Sequence, residues 1–470
     1  MKLPTVQGVA IVLCILFLRS IGLAEGTVVT YPAPASEKVS GAYSVTVDGK
    51  PVDVYSAASE YFGGDYYFAY FDFEGSVKIE IRSEYPLDKA AVLPASFGLP
   101  METTSERAII TADKPFRVSF EPNGRIKPLL IFGNGLETDV VPASNAKDVV
   151  YFGPGVHKPG KIELTSNQTL YLAGGAVVKG CIHAVGENIT IRGRGVLAGE
   201  ESPRFQGPGR FLLDCQNCSQ LTVRDIILRN PWSWTAVTWN CRGVLIDGLK
   251  ICGSRMINDD ALDLVNSQDV IVRNCFFRTQ DDSIAIKGID ASKLPCENIL
   301  VENCQFWTDL ANIYRIGYEC DAAVMKHIVS KNIDVLHYSK NYREPSHYWS
   351  NAIIWLQPNL NMLIDDCQFE NFTVYSDGTE MILLMAKPMR CSYGAHKEPD
   401  PGTLKNCSFK NISLVGKKGD FKGLIFLAGE SEKWSVTGLT FENVQYFGER
   451  ITRESPCVHC GNHVSNIEFR

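Results

Sequence analysis

The sequence has no basic run and no long hydrophobic stretch apart from its first residues. Its 46 Lys and Arg against 53 Asp and Glu give a net charge of −7, so we expect no nucleic-acid partner. No segment after the N terminus is apolar enough to span a bilayer, and we expect no stable membrane insertion. Hydrophobic residues make up 45% and charged residues 21%, a composition typical of a globular protein with a large core.

The first residues have the pattern of a cleavable signal peptide. Lys2 supplies the positive charge, residues 9–18 the apolar segment, and residues 22–24 a small-x-small cleavage site. The apolar segment is about half the ~20 residues needed to cross a membrane. We therefore predict a signal peptide at 1–24 and a secreted or periplasmic protein.

The fifteen cysteines do not read as a disulfide framework. Cys275, Cys304, Cys367 and Cys407 each follow an Asn or Asp inside a strand-like run, and we interpret them as a buried ladder of small side chains. Two further cysteines in "CVHCGNH", residues 457–463, are close enough in sequence for a local bridge. A metal site there is the alternative, but a single CxxC without a second pair is weak support for it.

Residues 25–142 alternate polar and apolar positions in short segments joined by Asp-Gly and Asn-Gly turns. These turns are typical of β-hairpins. The pattern predicts an antiparallel β-sandwich domain.

From residue 143 to 470 the sequence is quasi-repetitive and has no helical period. Each repeat has two short apolar strands around a polar corner, and the corners recur at steps of 22 to 40 residues. The corner residues that we align are Asp225, Asp247, Asn274, Asn303, Asn332, Asp366, Asn406 and Asn443. Most steps are too short for the blade of a propeller. The repeat predicts a parallel β-helix with one coil per repeat.

Three aspartates interrupt strand-like runs in "MINDDALDLVNSQDVIVRNCFFRTQDDSIAIKG", residues 256–288. Asp260 and Asp282 are 22 residues apart, which matches the shortest coil step, so we expect them at equivalent sites on adjacent coils about 4.8 Å apart. Asp281 would then lie beside them. Strict alternation would bury Asp260 and Asp282, so we expect both at a bend.

Alternation also assigns the neighbouring strand residues to two faces. It places Leu262, Leu264, Ile284 and Ile286 inside the helix, and Asp263, Ala285 and Lys287 outside. Lys287 would therefore point outward beside the aspartates.

Clustered carboxyl groups on an open face suit the hydrolysis of glycosides. One carboxyl group with a raised pKa protonates the leaving oxygen, and another activates water, while mutual repulsion keeps one of them protonated. The alternative is that Asp merely caps turns between coils, as we expect for Asp225 and Asp366. An Asp-Asp pair one coil after Asn-x-Asp favours catalysis.

"NDDALDL" followed by "QDDSIAIKG" resembles the paired signature of polygalacturonase-type enzymes, glycoside hydrolase family 28, with Asn258, Asp260, Asp281 and Asp282 on the motif positions. The resemblance covers about residues 145–445. It implies a right-handed, pectin-lyase-like parallel β-helix after the sandwich and an inverting hydrolase that needs no cofactor. It also implies that Asp281 is the general acid and that Asp260 and Asp282 hold and deprotonate the attacking water.

The sequence departs from that family at two motifs. Asn312 stands where a Gly-His-Gly motif has its histidine, and Ile354, Trp355 and Leu356 stand where an Arg-x-Lys pair clamps the substrate carboxylate. A buried uronate without a cationic partner would be unfavourable by several kcal/mol. The sandwich-plus-helix plan and "NIDVLHYS" at 332–339 are similar to the dextranase and isopullulanase group, family 49. We therefore expect a neutral glycan, such as an α-glucan or a galactose-containing polymer.

Several other residues are candidate substrate contacts. Lys287 binds a sugar hydroxyl, holds one aspartate ionised, or is a plain surface lysine; Arg315 and Glu319 form a subsite or only an ion pair. Trp355 is the preferred stacking platform. His337 is a candidate contact, and a structural role is the alternative for it and for His347. The other tryptophans of this part, Trp232, Trp234 and Trp239, are expected to pack between coils or against the sandwich.

Four functions remain open at this point. The first is a secreted inverting glycoside hydrolase acting on a neutral polysaccharide or oligosaccharide, expected to be a monomer. The others are a polygalacturonase-type pectin hydrolase, a polysaccharide lyase whose aspartates bind Ca²⁺, and a glycan-binding β-helix without activity.

Six Asn-x-Ser/Thr motifs are candidate N-glycosylation sites and are equally explained as turn asparagines: Asn167, Asn188, Asn217, Asn371, Asn406 and Asn411.

Overall fold

The computed structural model describes residues 26–37, 39–320, 322, 324–339, 351–390, 400–419, 421 and 423–470. The predicted signal peptide and His347 lie outside these residues. In the described part of the chain, no helix is long and apolar enough to span a bilayer. The one helix described is a short 3₁₀ turn, Ala95–Phe97.

The N-terminal strands form a β-sandwich. They are β1 (Thr27–Thr30), β2 (Tyr43–Val47), β3 (Lys50–Val52), β4 (Tyr55–Ala57), β5 (Tyr66–Glu74), β6 (Val77–Ser83), β7 (Ala91–Leu93), β8 (Met101–Thr103), β9 (Ala108–Ala112), β10 (Phe116–Glu121) and β11 (Leu129–Gly135). One sheet has the order β1-β5-β11-β10-β7 with β4 beside β5, and the other has the order β3-β2-β6-β9-β8. The pairing is antiparallel except between β5 and β11. Alternating residues such as Val45, Ile79 and Val118 fill the core between the sheets.

The rest of the chain is a right-handed parallel β-helix. Its first strands are β12 (Val149–Phe152), β13 (Gly155–Leu164), β14 (Thr169–Leu172), β15 (Ala176–Ala184), β16 (Thr190–Gly193), β17 (Val196–Ala198), β18 (Leu213–Gln216), β19 (Ser219–Arg224), β20 (Ile227–Arg229), β21 (Ala236–Trp239), β22 (Arg242–Asp247), β23 (Lys250–Cys252), β24 (Leu262–Val265), β25 (Gln268–Arg273), β26 (Phe276–Thr279) and β27 (Ile284–Lys287). The later strands are β28 (Cys296–Thr308), β29 (Tyr314–Gly317), β30 (Val324–His337), β31 (Ile354–Gln357), β32 (Leu363–Asp377), β33 (Leu384–Ala386), β34 (Thr403–Lys405), β35 (Ser408–Lys417), β36 (Ile425–Leu427), β37 (Val436–Tyr446), β38 (Glu449–Arg450), β39 (Val458–Cys460) and β40 (Val464–Phe469).

Each coil has three faces. Face 1 stacks β16, β19, β22 and β25; face 2 stacks β17, β20, β23 and β26; face 3 stacks β18, β21, β24 and β27. From β28 onward, long strands run through faces 1 and 2. Stacked rings such as Phe369, Phe409, Phe441 and Phe469, with centroids 4.5 to 5.3 Å apart, fill the interior.

The corner between faces 1 and 2 carries a row of asparagines in the left-handed conformation, with φ between 52° and 58°. We call this row the asparagine corner; its members are Asn274, Asn303, Asn332, Asn371, Asn411 and Asn443. Side-chain amides bond from coil to coil, at 3.1, 3.0, 3.0 and 2.9 Å along the last five members. Left-handed backbone suits asparagine, whose short polar side chain bonds locally.

Three residues of the predicted corner alignment are wrong: Asp247, Asp366 and Asn406. Asp247 is in register with Arg224 and Arg273, so Gly248 is the residue that stands at the corner between Asp225 and Asn274. Asn332 and Asn371 are the residues in register, as are Asn371 and Asn411. Asp366 and Asn406 also have positive φ, but they lie five residues earlier, at a second bend within face 1. Both kinds of bend place Asn or Asp in left-handed backbone, so the residue type alone did not distinguish them.

The described cysteines are free thiols, and the eleven of them that lie between residues 181 and 407 are buried; Cys391 is outside the described residues. The predicted single ladder is two stacked pairs, Cys275 with Cys304 and Cys367 with Cys407, because the two pairs follow different bends. The predicted bridge between Cys457 and Cys460 is absent. Three residues of extended chain separate their Cα atoms by roughly 10 Å, beyond the reach of a disulfide.

The sandwich packs on the outer surface of face 2. Phe132 of β11 meets Phe276 of β26 with ring centroids 5.4 Å apart, and residues from both halves share one apolar cluster. Face 2 ends at the corner with face 3, which carries the aspartates. The sandwich therefore lies beside that corner.

Candidate active site

Asp260, Asp281 and Asp282 meet at the corner between faces 2 and 3. Asp260 precedes β24, and the pair precedes β27; Leu262 is in register with Ile284. Asp260 and Asp282 are thus equivalent residues of adjacent coils, as the spacing of 22 residues predicted. One carboxylate oxygen from each of the three aspartates lies within 4.8 Å of the other two.

Lys287 neutralises one side of this cluster. Its Nζ lies 2.9 Å from Asp260 Oδ2 and 2.8 Å from Asp263 Oδ1. Burial raises the pKa of Asp260 to about 6 although Lys287 lowers it, and Asp282 raises it further. Burial alone would lower the pKa of Lys287, but Asp260 and Asp263 outweigh it and raise that pKa. Lys287 is therefore a charged partner of Asp260.

The predicted alternation holds for the core but not for exposure. Leu262, Leu264, Ile284 and Ile286 belong to the interior cluster. The outward-facing residues are also buried: Asp263 and Ala285 have no exposed surface and Lys287 is 4% exposed. The alternative of a plain surface lysine is therefore wrong, because neighbouring side chains cover this part of face 3.

Asn312 holds Asp282 from the next coil. Its backbone N–H and its Nδ2 both donate to Asp282 Oδ1, at 3.0 and 2.7 Å. Its own Oδ1 accepts the backbone N–H of Ala352 at 2.8 Å. The residue that stands in for a histidine is thus a fixed amide donor to Asp282.

Asp281 has a different environment. Its side chain is half-buried, and its Oδ1 accepts the backbone N–H of Asp282 at 3.0 Å. Burial, together with repulsion from Asp260 and Asp282, raises the pKa of Asp281 well above its usual range. Of the three aspartates, Asp281 is the one arranged to carry a proton.

Asp259, which was not among the predicted site residues, fixes the backbone at Gln280 and Asp281, next to Asp282. It is fully buried, and its Oδ1 accepts the backbone N–H groups of Gln280 and Asp281, at 2.7 and 3.3 Å. Its Oδ2 accepts the N–H of Ser254. Burial raises the pKa of Asp259 to about 7. The signal available in the sequence was the first aspartate of "NDD", next to Asp260.

Aromatic side chains line the cluster on the N-terminal side. Lys287 Nζ lies 3.6 Å from the centroid of the Trp234 ring, and that half-buried ring stacks on Phe211 at 5.3 Å and 8°. The half-buried Trp239 donates from Nε1 to Asp290 at 2.6 Å. Only Trp232 packs in the interior as predicted. Trp234 is therefore the aromatic ring that contacts Lys287, the partner of Asp260.

Trp355 is not an open stacking platform, so that prediction is wrong. The side chain is fully buried, and the guanidinium of Arg315 lies 4.4 Å from its ring centroid. Trp355 follows Arg315 in register on the next coil, where the coil geometry covers it.

The remaining candidates are divided between the cluster and the surroundings. Glu319 is half-buried and close enough to raise the pKa of both Asp260 and Lys287. Arg315 is buried against Tyr318, 4.3 Å from its ring centroid. Asn258 accepts a bond from Arg204 at 2.6 Å, which ties it to the loop after β17.

His337 has the structural role that was the alternative for it. It is buried, its Nε2 lies 2.8 Å from Glu121 Oε1 of the sandwich, and its ring lies 4.2 Å from that of Trp307. The prediction that His337 contacts substrate is therefore wrong.

A second contact with the sandwich lies beside the aspartates: Gln280 donates to the Tyr61 hydroxyl at 3.2 Å.

Among the described residues, Asp260, Asp281 and Asp282 are the one group whose ligand atoms are close enough to share a metal ion. The alternative metal site in "CVHCGNH" is therefore not supported. At the aspartates, the ammonium of Lys287 already occupies the position of a cation beside Asp260. The arrangement suits proton transfer: Asp260 and Asp282 have fixed donors, and the pKa of Asp281 is raised by burial and by both of the other aspartates.

The chain is similar to known glycoside hydrolases in one segment of its sequence and in its fold. Residues 187–309, about a quarter of the chain, match the family described as glycosyl hydrolases family 28. No curated protein sequence matches the chain. Dex49A from Penicillium minioluteum is 15% identical with a TM-score of 0.66, over 90% of this chain and 92% of that one.

Two family 28 structures are also similar. The exopolygalacturonase of Yersinia enterocolitica is 14% identical with a TM-score of 0.53, over 94% of this chain and 96% of that one. An exopolygalacturonase from Thermotoga maritima is 16% identical with a TM-score of 0.50, over 64% of this chain and 80% of that one. The segment that matches family 28 contains all three aspartates. The chain is therefore a glycoside hydrolase with a parallel β-helix fold.

Proposed function

We propose that this protein is a secreted, inverting glycoside hydrolase that cleaves neutral polysaccharides or oligosaccharides with Asp260, Asp281 and Asp282. The observation that carries the proposal is the unequal environment of the three aspartates. Asp260 has an ammonium partner and Asp282 an amide partner, whereas Asp281 is raised in pKa by burial and repulsion. This division matches what acid and base catalysis requires.

In the proposed reaction, Asp281 donates its proton to the glycosidic oxygen as the C–O bond breaks. A water held by Asp260 and Asp282 attacks the anomeric carbon from the opposite face and gives its proton to one of them. Lys287 keeps Asp260 ionised, and Asn312 orients Asp282. Asp259 keeps the backbone of residues 280–281 in place. No metal ion or other cofactor takes part in these steps.

The stereochemistry needs its own test. Inverting enzymes usually hold their two carboxyl groups ~6.5–9.5 Å apart, and retaining enzymes ~5–5.5 Å apart. The 4.8 Å cluster would by itself favour retention. We favour inversion because two of the three carboxylates are fixed acceptors that can share one water. Proton NMR of the first-formed anomer decides the matter, and a product that keeps the configuration of the substrate would overturn this part of the proposal.

The proposed substrate is a neutral glycan. Trp234 offers an aromatic ring at the cluster, and such a ring suits the apolar face of a neutral pyranose. The strand that aligns with the family's Arg-x-Lys pair carries Ile354, Trp355 and Leu356 and is buried. The test is a comparison of hydrolysis rates on dextran, a galactan and polygalacturonate. Faster cleavage of polygalacturonate would favour the pectin-hydrolase alternative, which has the exopolygalacturonase neighbours in its support.

A Ca²⁺-dependent lyase is the second candidate, since three carboxylates within 4.8 Å can hold a cation. A lyase releases unsaturated sugars, which absorb in the ultraviolet, and loses activity when the metal is removed. We expect saturated products and full activity after exhaustive EDTA treatment. Unsaturated products, or activity that returns only with Ca²⁺, would replace the hydrolase with the lyase. Binding of glycans without any product would identify a binding protein.

Three further features belong to the proposal. We propose a signal peptide at 1–24 and hence a secreted or periplasmic location, a domain boundary between residues 142 and 143, and a monomer. Mass spectrometry of the exported protein, limited proteolysis and light scattering test them in turn.

A further inference from the structure

A second polar groove lies on the other side of face 2 from the aspartates. It has a volume of about 770 Å³, within the ~300–1,000 Å³ typical of ligand sites. Sandwich residues such as Phe97 and Arg117 form one wall, and the asparagine corner forms the other. Its lining does not include Asp260, Asp281 or Asp282. Strand β26 separates the two sites, since Asn274 precedes it and Asp281 follows it.

The charged side chains of the groove have partners: Arg194 and Asp247 are in ion pairs, while Arg117 bonds to Gln305 and Asn303, and Asp334 accepts from Ser96. Arg194 binds Asp72 through Nε, at 2.8 and 2.9 Å, and Asp225 through Nη1 at 2.6 Å. Asp247 is paired with Arg273 at 2.9 Å. With its charges balanced in this way, the groove offers hydrogen-bond donors and acceptors but no strong field for an ion.

Lys250 is the side chain that indicates a ligand. It is 2% exposed and lines the groove. Its Nζ lies 3.3 Å from the Asp225 carbonyl oxygen and 3.8 Å from the Asp225 carboxylate. An ammonium group has three donors, so donors remain for an oxygen in the groove. Burial lowers the pKa of Lys250 to about 8.

The asparagine corner adds a repeating row of amides. Asn274, Asn303, Asn332 and Asn371 line the groove on successive coils, with the ~4.8 Å spacing of stacked strands. This repeat is close to the length of one sugar unit. Phe97, half-buried with Arg117 at 5.6 Å from its ring centroid, adds an apolar surface.

We propose that this groove is a second, non-catalytic binding site for a neutral oligosaccharide chain. The sugar hydroxyl groups would accept hydrogen bonds from Lys250 and Arg117. They would both donate to and accept from the asparagine amides. The identification of the ligand as a segment of the protein's own substrate rests on the proposed function. The existence of the polar groove does not rest on it. Bound here, a polymer would remain on the protein between cleavage events.

The first experiment counts binding sites by calorimetry on the full chain with Asp281→Asn, which should prevent turnover. The probes are six-unit isomalto- and galacto-oligosaccharides, with a six-unit oligogalacturonide as the charged comparison. We expect two sites per chain for a neutral probe. Adding Lys250→Met should weaken one of them about tenfold or more, the value of a lost charge-assisted hydrogen bond, and leave the other unchanged.

A second variant covers the case in which Lys250→Met does not fold. Thr373→Phe fills the groove without breaking an ion pair, and Ser413→Phe is its control, at the position in register one coil further and outside the groove. Lys161→Met is the control for removing a lysine. In the active protein, Thr373→Phe should raise KM on a polymer several-fold and leave hydrolysis of short oligosaccharides unchanged.

A single site per chain, two sites that both survive Thr373→Phe, or a groove that prefers the oligogalacturonide would overturn the proposal. Failure of the proposed function gives a different result. Hydrolysis together with a single binding site would contradict the proposed binding groove and support the proposed hydrolase. Two binding sites without hydrolysis by the unmodified protein would support the groove and contradict the hydrolase.

Discussion

Two corners of the same coils use opposite chemistry. The asparagine corner, between faces 1 and 2, is built from neutral amides that bond to one another from coil to coil. The corner between faces 2 and 3, which we call the acidic corner, carries Asp259, Asp260, Asp281 and Asp282, mostly buried and within reach of one another. In the first corner each side chain bonds to its neighbours, and in the second the pKa values of Asp260 and Asp281 are raised by burial and by neighbouring carboxylates.

The difference shows how one backbone plan serves both stability and chemistry. Neutral amide pairs are modestly favourable, whereas buried like charges are unfavourable unless they are paired or protonated. The asparagine corner should therefore respond to mutation in stability and the acidic corner in activity. The predictions below test that division.

The largest expected effect is that of Asp281→Asn, which removes the proposed acid. Turnover on unactivated sugars should fall by about 10²–10⁴, and less on aryl glycosides whose leaving groups need little protonation. Asp260→Asn and Asp282→Asn should be severe on both substrate types. For Asp281→Asn the melting temperature should not fall, because mutual repulsion is removed. Asp366→Asn, at a turn, is the control. Near-normal turnover in any of the three, or a collapse in melting temperature, would favour the turn-capping alternative.

Asp259→Asn should reduce both activity and stability. Asp259 now accepts hydrogen bonds from backbone N–H groups, and the new amide would place its own N–H groups against these donors. We therefore expect a loss of kcat of about tenfold or more with a smaller change in KM.

The effect on stability should depend on pH. The pKa of Asp259 is raised in the folded state to about 7, so its contribution is fully present below about pH 4 and lost as pH rises through 7. The difference in free energy of unfolding between wild type and variant should therefore shrink from pH 4 to 8. A constant difference would show that Asp259 does not titrate in this range.

Lys287→Met should move the pH profile of kcat/KM. Lys287 lowers the pKa of Asp260, which is about 6 with the lysine present. Because Asp260 acts in its ionised form, activity falls as pH drops through that value. Without the ammonium, the acid limb should move upward by about one unit or more. Lys287→Arg keeps the charge and should restore the limb. An unmoved limb in Lys287→Met would show that another group controls it.

The smallest expected effect is that of Asn411→Ala in the asparagine corner. Asn411 bonds to Asn371 and Asn443 at 3.0 and 2.9 Å, and losing both bonds should lower the free energy of unfolding by about 1–3 kcal/mol. Asn411→Gly separates these bonds from backbone strain, since φ is 52° at this position. Activity should stay within about twofold. A large loss of activity would contradict the prediction that the asparagine corner affects stability and the acidic corner affects activity.

The sequence was sufficient to predict the sandwich, the parallel β-helix and the meeting of Asp260 with Asp282, because each follows from a period. The hairpin turns and the coil step of 22 residues depend on local residue types alone. Register in the later coils was harder to predict, since Asp366 and Asn406 occupy a second bend with the same backbone preference.

What lies outside the coil has no periodic signal. Alternation gave the direction of Lys287 but not its burial, which depends on loops and on neighbouring coils. Asp259 shows the same difficulty: its hydrogen bonds to residues 280–281 arise from the contact between two coils. Trp234 reaches Lys287 across 53 residues of sequence, and only the stacked coils bring the two together.

The buried thiols from Cys181 to Cys407 make the solenoid a set of built-in reporters of local opening. Burial raises the pKa of several of them, Cys252 and Cys296 among them to about 12, so a thiol-alkylating reagent can react only when a coil opens. In a repeat structure each coil contacts mainly its neighbours, and opening can begin at either end. The order in which these cysteines are alkylated under native conditions would then record, coil by coil, the end from which the β-helix unravels.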